Sequence, residues 1–518
     1  MGGRKRQVLN RNESGIMMME KMGWCKWLFF LVVVLFLLLV VVASLNGPTH
    51  RHDDLWYMRN LQTFVCTGKM VSNQIFPVMI AKDSCEVPLV THNLPSIYLI
   101  APFVILLGSY WGWIVANILF TLLSCWLLIN IGGLLEWSIQ KRVMCGACFL
   151  VFPISVYMSS HALSEAGTAP LVLLICYVLL KMNESTWKWV LIGLLAALAT
   201  LNRASLMVMA LLIPLLTLFC KEKRLLGRVG TMACFFLSFT IFLSVGHAIF
   251  PQADIGGTGT LLKTYGSMNH YYALYPMEFS FSKLMERTFL GMHTALLGRK
   301  IGELAFLLPL NTLILWVFLR RTRGCLLRIS ILRYYAITLI ATHFATLVVV
   351  QFQHRYIHVI YPVLLLFFFA SIDLKTTSSR LFRVGLGLFI CGNLIVSAAY
   401  AKKNYAEGGR TREIIAAYTP ATEFLKGKGA GLIVGGNDRL HAWLFPDNRT
   451  LVVRPVLTTD ELLMMREKVP FCWMICPSNS VVLDRLAMLR PIPEEMVSIP
   501  LNSFKLYHFQ VEPAPLDE

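Results

Sequence analysis

Charged residues are scarce in this chain of 518 residues: they make up 15% of it, against 56% for hydrophobic residues. A soluble domain of this length does not need so much apolar surface, so the composition argues against an ordinary globular protein. Acidic residues are the rarer sign, with 29 Asp and Glu against 47 Lys and Arg. The basic residues gather in short loops between apolar runs, which is typical of a membrane protein and not of a nucleic-acid partner.

Metal-binding spacings such as His-Glu-x-x-His are also missing. We therefore predict no metal ligands; no cofactor is firmly implied, and a divalent cation is left open. Cys145 and Cys148 form a C-x-x-C inside an apolar run, where packing is expected rather than redox or metal chemistry. Two other cysteine pairs could close in an oxidising compartment, although spacing does not decide it. These pairs are Cys66 with Cys85 and Cys472 with Cys476.

Runs of about 20 apolar residues are what a bilayer requires, and the chain contains many. The first, Trp27 to Leu45, is longer than the core of a signal peptide and no clean cleavage site follows it, so we expect it to be retained. In all, the sequence predicts eleven membrane helices. The later ten lie near 112–135, 143–158, 166–181, 187–200, 204–219, 229–250, 302–319, 333–350, 358–372 and 383–400.

The distribution of Lys and Arg orients these helices. Residues 1–26 are expected in the cytoplasm. If the helices cross the membrane alternately, the loops on the same side as these residues carry most of the basic residues. The membrane domain then covers 27–400, with long outer loops at 46–111 and 251–301, and the segment 401–518 lies on the outer side. Leu94 to Gly108 is apolar but too short to span, so we expect an interfacial or re-entrant helix within the first outer loop.

The tail after residue 401 changes character. Short strands are predicted over Gly431 to Gly435, Thr450 to Val453, Phe471 to Ile475 and Phe504 to Phe509. Helices are predicted between them over Asp460 to Lys468 and Val481 to Leu489. The fold class is therefore an α-helical polytopic membrane protein with a small C-terminal α/β domain. Asn448-Arg449-Thr450 is a glycosylation sequon that a glycosylating host could use on the outer side.

Two adjacent carboxylates, Asp53 and Asp54, follow the first apolar run closely and are preceded by His52. One Asp could serve as the cap of an interfacial helix whose apolar face holds Leu55 and Leu61. A cap explains one carboxylate and leaves the other, with its histidine neighbour, unexplained. A carboxylate at a membrane face suits general-base catalysis on an acceptor hydroxyl, so both are predicted catalytic residues.

Glu165 follows the third apolar run and falls on the same side as Asp53 in the predicted topology. Ionisable residues at the edges of apolar helices are costly and often functional. We count Glu165 as a catalytic candidate, with capping of the next helix as the open alternative.

Arg355, between two apolar runs on the outer side, is the main candidate for binding a phosphate, since guanidinium groups pair with phosphate bidentately. Lys82 and Arg203 are weaker candidates for the same role. His354 and Tyr356 flank Arg355 and are further site candidates, although Arg and Tyr also anchor helix ends at interfaces. Tyr272 lies in the second outer loop and is a further site candidate. That loop is either a lid over the site, which would bring Tyr272 to it, or an ordinary polar linker.

Taken together, these motifs resemble those of the GT-C glycosyltransferases, the multi-pass enzymes that use polyprenyl-phosphate sugars. The similarity is greatest to the branch of protein O-mannosyltransferases and aminoarabinose transferases. The family's acidic pair is matched by Asp53-Asp54, where the second residue is usually Glu. Glu165 matches a second outer acid, and the Arg-Tyr pattern before a Pro is matched by Arg355-Tyr356 and Pro362 with one extra residue.

The resemblance covers about residues 1–400 and implies a single inverting displacement at the outer or luminal membrane face. Asp53 would deprotonate the acceptor, and Arg355, with Lys82, would hold the polyprenyl-phosphate leaving group. The implied partners are a polyprenyl-phosphate-linked hexose or pentose and a protein, glycolipid or polysaccharide acceptor. A transporter or flippase of lipid-linked saccharides is the alternative, but no internal repeat of the kind typical of transporters is evident. A non-catalytic membrane scaffold would leave the acidic pair unexplained.

The host membrane stays open between a bacterial inner membrane, with the tail in the periplasm, and the endoplasmic reticulum, with the tail in the lumen. The lack of a retention motif at the end of the sequence favours the bacterial membrane.

Overall fold

A computed structural model describes most of the membrane helices and the central part of the tail. The described residues are 26–49, 54–68, 71–72, 74–75, 87–88, 94–181, 185–219, 225–249, 303–320, 327–349, 354–372, 379–426, 431–435, 438–452, 471–477, 494–499 and 504–510, with isolated positions between 285 and 296 and at 428. Almost all of the second outer loop lies outside these residues. Both helices predicted for the tail lie outside them entirely.

Among the described residues, the first part of the chain is helical apart from three two-residue strands before α3: β1 (Val71–Ser72), β2 (Gln74–Ile75) and β3 (Val87–Pro88). The helices are α1 (Lys26–Ser44), α2 (Asp54–Thr67), α3 (Leu94–Leu107), α4 (Ser109–Leu134), α5 (Ile139–Leu150), α6 (Pro153–Ser160), α7 (Thr168–Lys181), α8 (Thr186–Asn202), α9 (Met207–Leu212), α10 (Leu225–Ile249), α11 (Leu304–Leu319), α12 (Leu327–Val349), α13 (Ile357–Ser371) and α14 (Ser379–Ala417). Each of the eleven apolar runs coincides with one of these helices, or with two in succession. Among the described residues, four helices are long and apolar enough to cross a membrane, and α5 with α6 forms a fifth span if the bent pair is counted as one. The total of eleven spans stays a prediction.

The centre of the membrane region is α4, which packs against α3, α5, α6 and α7. The chain reverses between α3 and α4 at Gly108, whose φ of +81° only glycine adopts without strain. Gly112, one turn further on, lets the two backbones touch, since a Cβ there would lie 2.5 Å from the Cα of Val104. α3 is therefore a helix, as predicted, and its exposed face carries Leu99 and Leu106.

The tail contains a mixed six-stranded sheet of order β2-β5-β4-β6-β8-β7. Its strands are β2 (Gln74–Ile75), β4 (Leu432–Gly435), β5 (Arg449–Val452), β6 (Phe471–Pro477), β7 (Glu494–Ile499) and β8 (Phe504–Gln510). The first four strands in that order are parallel, and β8 and β7 continue antiparallel. The C-terminal α/β unit and four of its strands are thus confirmed, and β7 and the short helices α15 (Thr419–Leu425) and α16 (Asp438–Leu444) are additions.

The first outer loop is built into this tail. Its strand β2 forms the edge of the sheet by pairing with β5. Leu55, at the start of α2, is fully buried in the same apolar cluster as Leu440 and Trp473 of the tail. Arg59 adds a hydrogen bond of 3.2 Å from its guanidinium to the carbonyl of Pro446. The tail therefore fixes the helix that begins with Asp54.

The structure of the tail bears on one of the two cysteine pairs and on the glycosylation sequon. Cys472 and Cys476 lie four residues apart on the single strand β6, which separates them by about 13 Å, and a disulfide spans at most about 7 Å between Cα atoms. They cannot pair with each other. Asn448 of the sequon is buried, and its Oδ1 accepts a hydrogen bond from the backbone N–H of Gly431 at 3.0 Å. In the folded tail this side chain is therefore part of the packing and is not exposed on the surface.

Replacing Leu55 with Ala should loosen the tail although the residue lies in the first outer loop. Removing a fully buried leucine costs about 2–5 kcal/mol of unfolding free energy. We expect faster proteolytic cleavage within residues 431–510 of the purified full-length protein. Leu45→Ala is the matched control, because Leu45 is 54% exposed. Equal cleavage rates for Leu55→Ala and the wild type would show that α2 does not stabilise the tail.

Acid should destabilise the tail through His441, which is fully buried on α16 with its Nε2 3.4 Å from the hydroxyl of Tyr418. Burial disfavours the charged imidazole and lowers its pKa from 6.5 to about 3. The unfolded chain takes up a proton near pH 6.5 that the folded tail excludes, so stability falls as the pH drops from about 6.5 towards 3, by at most about 1.4 kcal/mol per pH unit. Hydrogen exchange of β4 and β6 across pH 7.5, 6 and 5 measures this slope. His441→Phe should flatten it, and an unchanged slope would assign the acid sensitivity to other groups.

Candidate functional site

Asp54 is the first residue of α2, and its carboxylate is held from two directions. Oδ2 accepts hydrogen bonds from the backbone N–H of Thr49 at 3.2 Å and from the Thr49 hydroxyl at 3.1 Å. The same oxygen lies 2.8 Å from Nδ1 of His161, more than a hundred residues away in the sequence. Asp54 is fully buried and His161 is 1% exposed. A buried carboxylate needs such donors, because desolvation of an unpaired charge is costly.

His161 lies directly after α6, in an extended segment that leads towards α7. The side-chain amide of Asn117, on α4, donates to the carbonyls of His161 at 2.8 Å and Leu163 at 2.9 Å, which fixes the path of this segment. Nε2 of His161 faces α14, where it lies 3.0 Å from the Tyr400 hydroxyl and 2.9 Å from Nδ2 of Asn404. We call Thr49, Asp54, His161, Tyr400 and Asn404 the acid–histidine cluster.

A second buried group surrounds Glu165, which lies in a one-turn 3-10 helix before α7 and is 2% exposed. Its Oε1 is 3.0 Å from Nε of Arg355 and 3.7 Å from Nη1 of Arg203. The Arg203 guanidinium lies 3.8 Å from the ring centroid of Tyr356, and that of Arg355 lies 5.8 Å from it. We call Glu165, Arg203, Arg355 and Tyr356 the arginine cluster.

The arginine cluster carries a formal charge of +1, since one carboxylate faces two guanidinium groups. The second carboxylate oxygen of Glu165, Oε2, is buried and has no hydrogen-bond partner among the described residues. Such a group suits an anion, because guanidinium groups pair with anions through their N–H donors and these two side chains are only 10% and 11% exposed, where charges are weakly screened.

Asn202, the last residue of α8, holds Arg203 in place by fastening three elements. Its Oδ1 accepts from the backbone N–H of Ser96 at 3.1 Å and from the Ser96 hydroxyl at 2.5 Å, and its Nδ2 donates to the Thr168 hydroxyl at 2.6 Å. Gly167 permits this approach, because a Cβ there would lie 2.5 Å from the Ser96 hydroxyl oxygen. These bonds join α3, α7 and α8 beneath the arginine cluster.

The two clusters are adjacent because His161 and Glu165 belong to one segment. They are four positions apart in the sequence, so their Cα atoms are at most about 14 Å apart. The site thus combines a fixed acid with a cationic group of side chains.

Several of the residues predicted from the sequence meet in the structure. Glu165, Arg203, Arg355 and Tyr356 form one cluster, although nothing in the sequence indicated that they would touch. Asp54 does begin a helix, and its carboxylate is engaged by Thr49 and His161. His354 is the first residue of the 3-10 helix that holds Arg355. The remaining candidates, His52, Asp53, Lys82 and Tyr272, lie outside the described residues.

Sequence reasoning missed His161, Asn202, Tyr400 and Asn404. His161 had a detectable signal, since Ser159-Ser160-His161 interrupts an apolar run directly before Glu165. Asn202 and Asn404 carry no distinctive pattern, because single amides near helix ends are common. Among the described residues, no three His, Cys, Asp or Glu side chains are close enough together to hold a metal ion.

Comparison with known proteins establishes the fold. No protein-family model matches the sequence, and no curated protein matches it. Two crystal structures of ArnT from Cupriavidus metallidurans, in the apo state and bound to undecaprenyl phosphate, match with a TM-score of 0.54 at 13% identity, over 94% of this chain and 98% of that one. The Archaeoglobus fulgidus oligosaccharyltransferase tethered to an acceptor peptide matches with a TM-score of 0.50 at 10% identity, over 87% of this chain and 69% of that one.

Both of these proteins are GT-C glycosyltransferases. The chain is therefore an integral membrane protein with the GT-C fold, as the sequence motifs predicted. At identities this low the likeness defines the architecture and leaves the chemistry to be argued from the site.

Proposed function

We propose that the protein is an inverting glycosyltransferase that moves a hexose or pentose from a polyprenyl-phosphate carrier to an acceptor at the outer or luminal membrane face. The observation that carries this proposal is the arginine cluster, a buried pair of guanidinium groups next to a fixed acid in a GT-C fold. The undecaprenyl phosphate bound by one structural neighbour is consistent with such a donor.

Arg355 and Arg203 are assigned to the phosphate of the donor. In the reaction, the acceptor oxygen forms a bond to the anomeric carbon, and the bond from that carbon to the phosphate oxygen breaks with its electron pair. The phosphate therefore gains negative charge in the transition state. Guanidinium groups already fixed by Glu165 and Tyr356 stabilise that charge without reorganising, which is the usual source of large electrostatic effects in enzymes. Lys82 is the further candidate cation.

The acceptor proton is assigned to Asp53 as general base. Asp54 is the less suitable base, because it is fully buried and its Oδ2 is already occupied by Thr49 and His161. We assign Asp54 to positioning the acidic start of α2. Glu165 orients the two arginines and, through its open Oε2, a hydroxyl of the incoming sugar or acceptor.

The test is sugar transfer by the purified full-length protein in lipid nanodiscs. Radiolabelled polyprenyl-phosphate hexoses and pentoses are supplied with peptide, glycolipid and polysaccharide acceptors, and the release of polyprenyl phosphate is measured. Acceptor-dependent release with one donor supports the proposal. No release with any donor, together with saturable binding and movement of the lipid-linked sugar across vesicles, would assign the protein to the transporters instead.

A further inference from the structure

We propose that His161 is a positioning residue for the transfer reaction: it fixes the carboxylate of Asp54, and with it the acidic start of α2, against helix α14. This inference rests on the proposed function, which did not use His161. It assigns a role to a buried histidine that was not among the residues predicted from the sequence.

The imidazole of His161 presents one nitrogen to Asp54 and the other to α14. Oδ2 of Asp54 accepts from the backbone N–H and the hydroxyl of Thr49, and the same accepting oxygen faces Nδ1 of His161 at 2.8 Å, so Nδ1 is the nitrogen that carries the hydrogen. His161 therefore donates through Nδ1. Nε2 then acts as the acceptor, and the groups that face it help to hold this tautomer.

Two side chains of α14 face Nε2 of His161. The Tyr400 hydroxyl and the Asn404 amide both point at Nε2, at 3.0 and 2.9 Å. They are four residues apart on α14 and therefore lie on the same face of this helix. The ring of Tyr157 packs against the imidazole at 4.5 Å between centroids, which limits its rotation. Both nitrogens and one face of the ring are thus held.

The contacts of His161 connect the first outer loop to α14. It runs from α2 in the first outer loop, through the segment that also carries Glu165, to α14, which continues from the membrane region to the start of the tail. α14 is also tied to the end of α1, since Arg412 donates to the carbonyl of Asn46 at 3.0 Å. A shift of α14 therefore reaches Asp54 through His161. Displacing a reacting group by about 1 Å can cost about 100-fold in rate.

Two substitutions at His161 separate positioning from simple packing. His161→Leu removes both polar contacts and keeps the bulk. His161→Asn keeps an N–H donor at the position of Nδ1 and loses the link to α14. With the donor that the wild type uses, we expect kcat to fall about 100-fold for the Leu variant, while KM for the donor changes less than about twofold because the arginine cluster is intact. The Asn variant should regain about tenfold of that loss.

A double-mutant comparison tests whether Tyr400 acts through His161. Tyr400→Phe alone should lower kcat about three- to tenfold, the loss expected of one hydrogen bond. Added to His161→Leu, it should cost nothing more, because the coupled contact is already gone. Tyr335→Phe is the matched control, since it removes another buried hydroxyl, bonded to the Val172 carbonyl at 2.8 Å, and Tyr335 belongs to neither cluster.

Three results would overturn the inference: a His161→Leu enzyme with more than about a third of the wild-type kcat, an Asn variant no better than Leu, or a full additional loss from Tyr400→Phe in the Leu background. Thermal unfolding of each variant identifies any that fail to fold, and the Asn and Tyr400→Phe variants then carry the test. A wild type inactive with every donor would refute the proposed function itself, which is a different outcome from an active wild type with an unaffected His161→Leu variant.

Discussion

Asp53→Asn is expected to abolish sugar transfer while the protein still inserts, folds and binds its donor. The substitution keeps the size of the side chain and removes its basicity, and the loss of a general base costs about 10²- to 10⁴-fold in kcat. Turnover is measured as release of polyprenyl phosphate, with donor binding followed separately by displacement of a labelled lipid. The change should fall on kcat, since Asp53 is assigned to the acceptor proton and not to the phosphate.

Asp54→Asn is the informative comparison, because the adjacent carboxylate is expected to respond differently. A hydrogen bond to a charged group is worth about 1.5–3 kcal/mol, so this variant, which removes the charge of the buried acceptor of Thr49 and His161, should lose thermal stability as well as activity. Asp53→Asn should leave the unfolding temperature close to that of the wild type. If Asp53→Asn retained near-normal turnover, the base would have to be another group, and the assignment of the acidic pair would be wrong.

Arg355→Gln is expected to have the second largest effect, a fall in kcat of about 10²- to 10³-fold, the loss seen when one preorganised charge-stabilising donor is removed. Arg355 lies 3.0 Å from Glu165, so its guanidinium is already aimed when the phosphate arrives. Arg355→Lys keeps the charge but loses the forked donor geometry and should recover only part of the activity. The measurement is kcat together with the affinity for free polyprenyl phosphate, and both should weaken.

The control for this experiment is Arg142→Gln. Arg142 also has a fixed guanidinium, which donates to the carbonyl of Trp137 at 2.8 Å, but it lies near the start of α5 and belongs to neither cluster. Its turnover should match that of the wild type. Equal losses for Arg142→Gln and Arg355→Gln would mean that removal of any ordered arginine weakens the protein, and the phosphate role of Arg355 would then have no support.

The architecture was accessible from the sequence because bilayer thickness and backbone hydrogen bonding leave few options. A segment in hydrocarbon must be a helix and must be long and apolar, so each predicted run coincides with helical structure. The strands of the tail were accessible for a related reason, since short β-branched and aromatic runs between turns favour a sheet. Strand β2 was not, because two residues, Gln74 and Ile75, carry no pattern and pair only because β5 offers an edge.

The candidate site was also only partly predictable from the sequence. The sequence by itself determined which residue types had to be explained: acids and arginines at the ends of apolar helices, where a charge is costly unless it has a function or a partner. Tertiary structure alone decided which of them meet. Asp54 reaches His161 and Glu165 reaches Arg203 and Arg355 only because α6, α7, α8 and α13 pack around α4 and its neighbours. Hydrophobic periodicity determines which face of a helix is buried, but it does not determine which other helix packs against that face. Contacts between residues a hundred or more positions apart depend on that second helix.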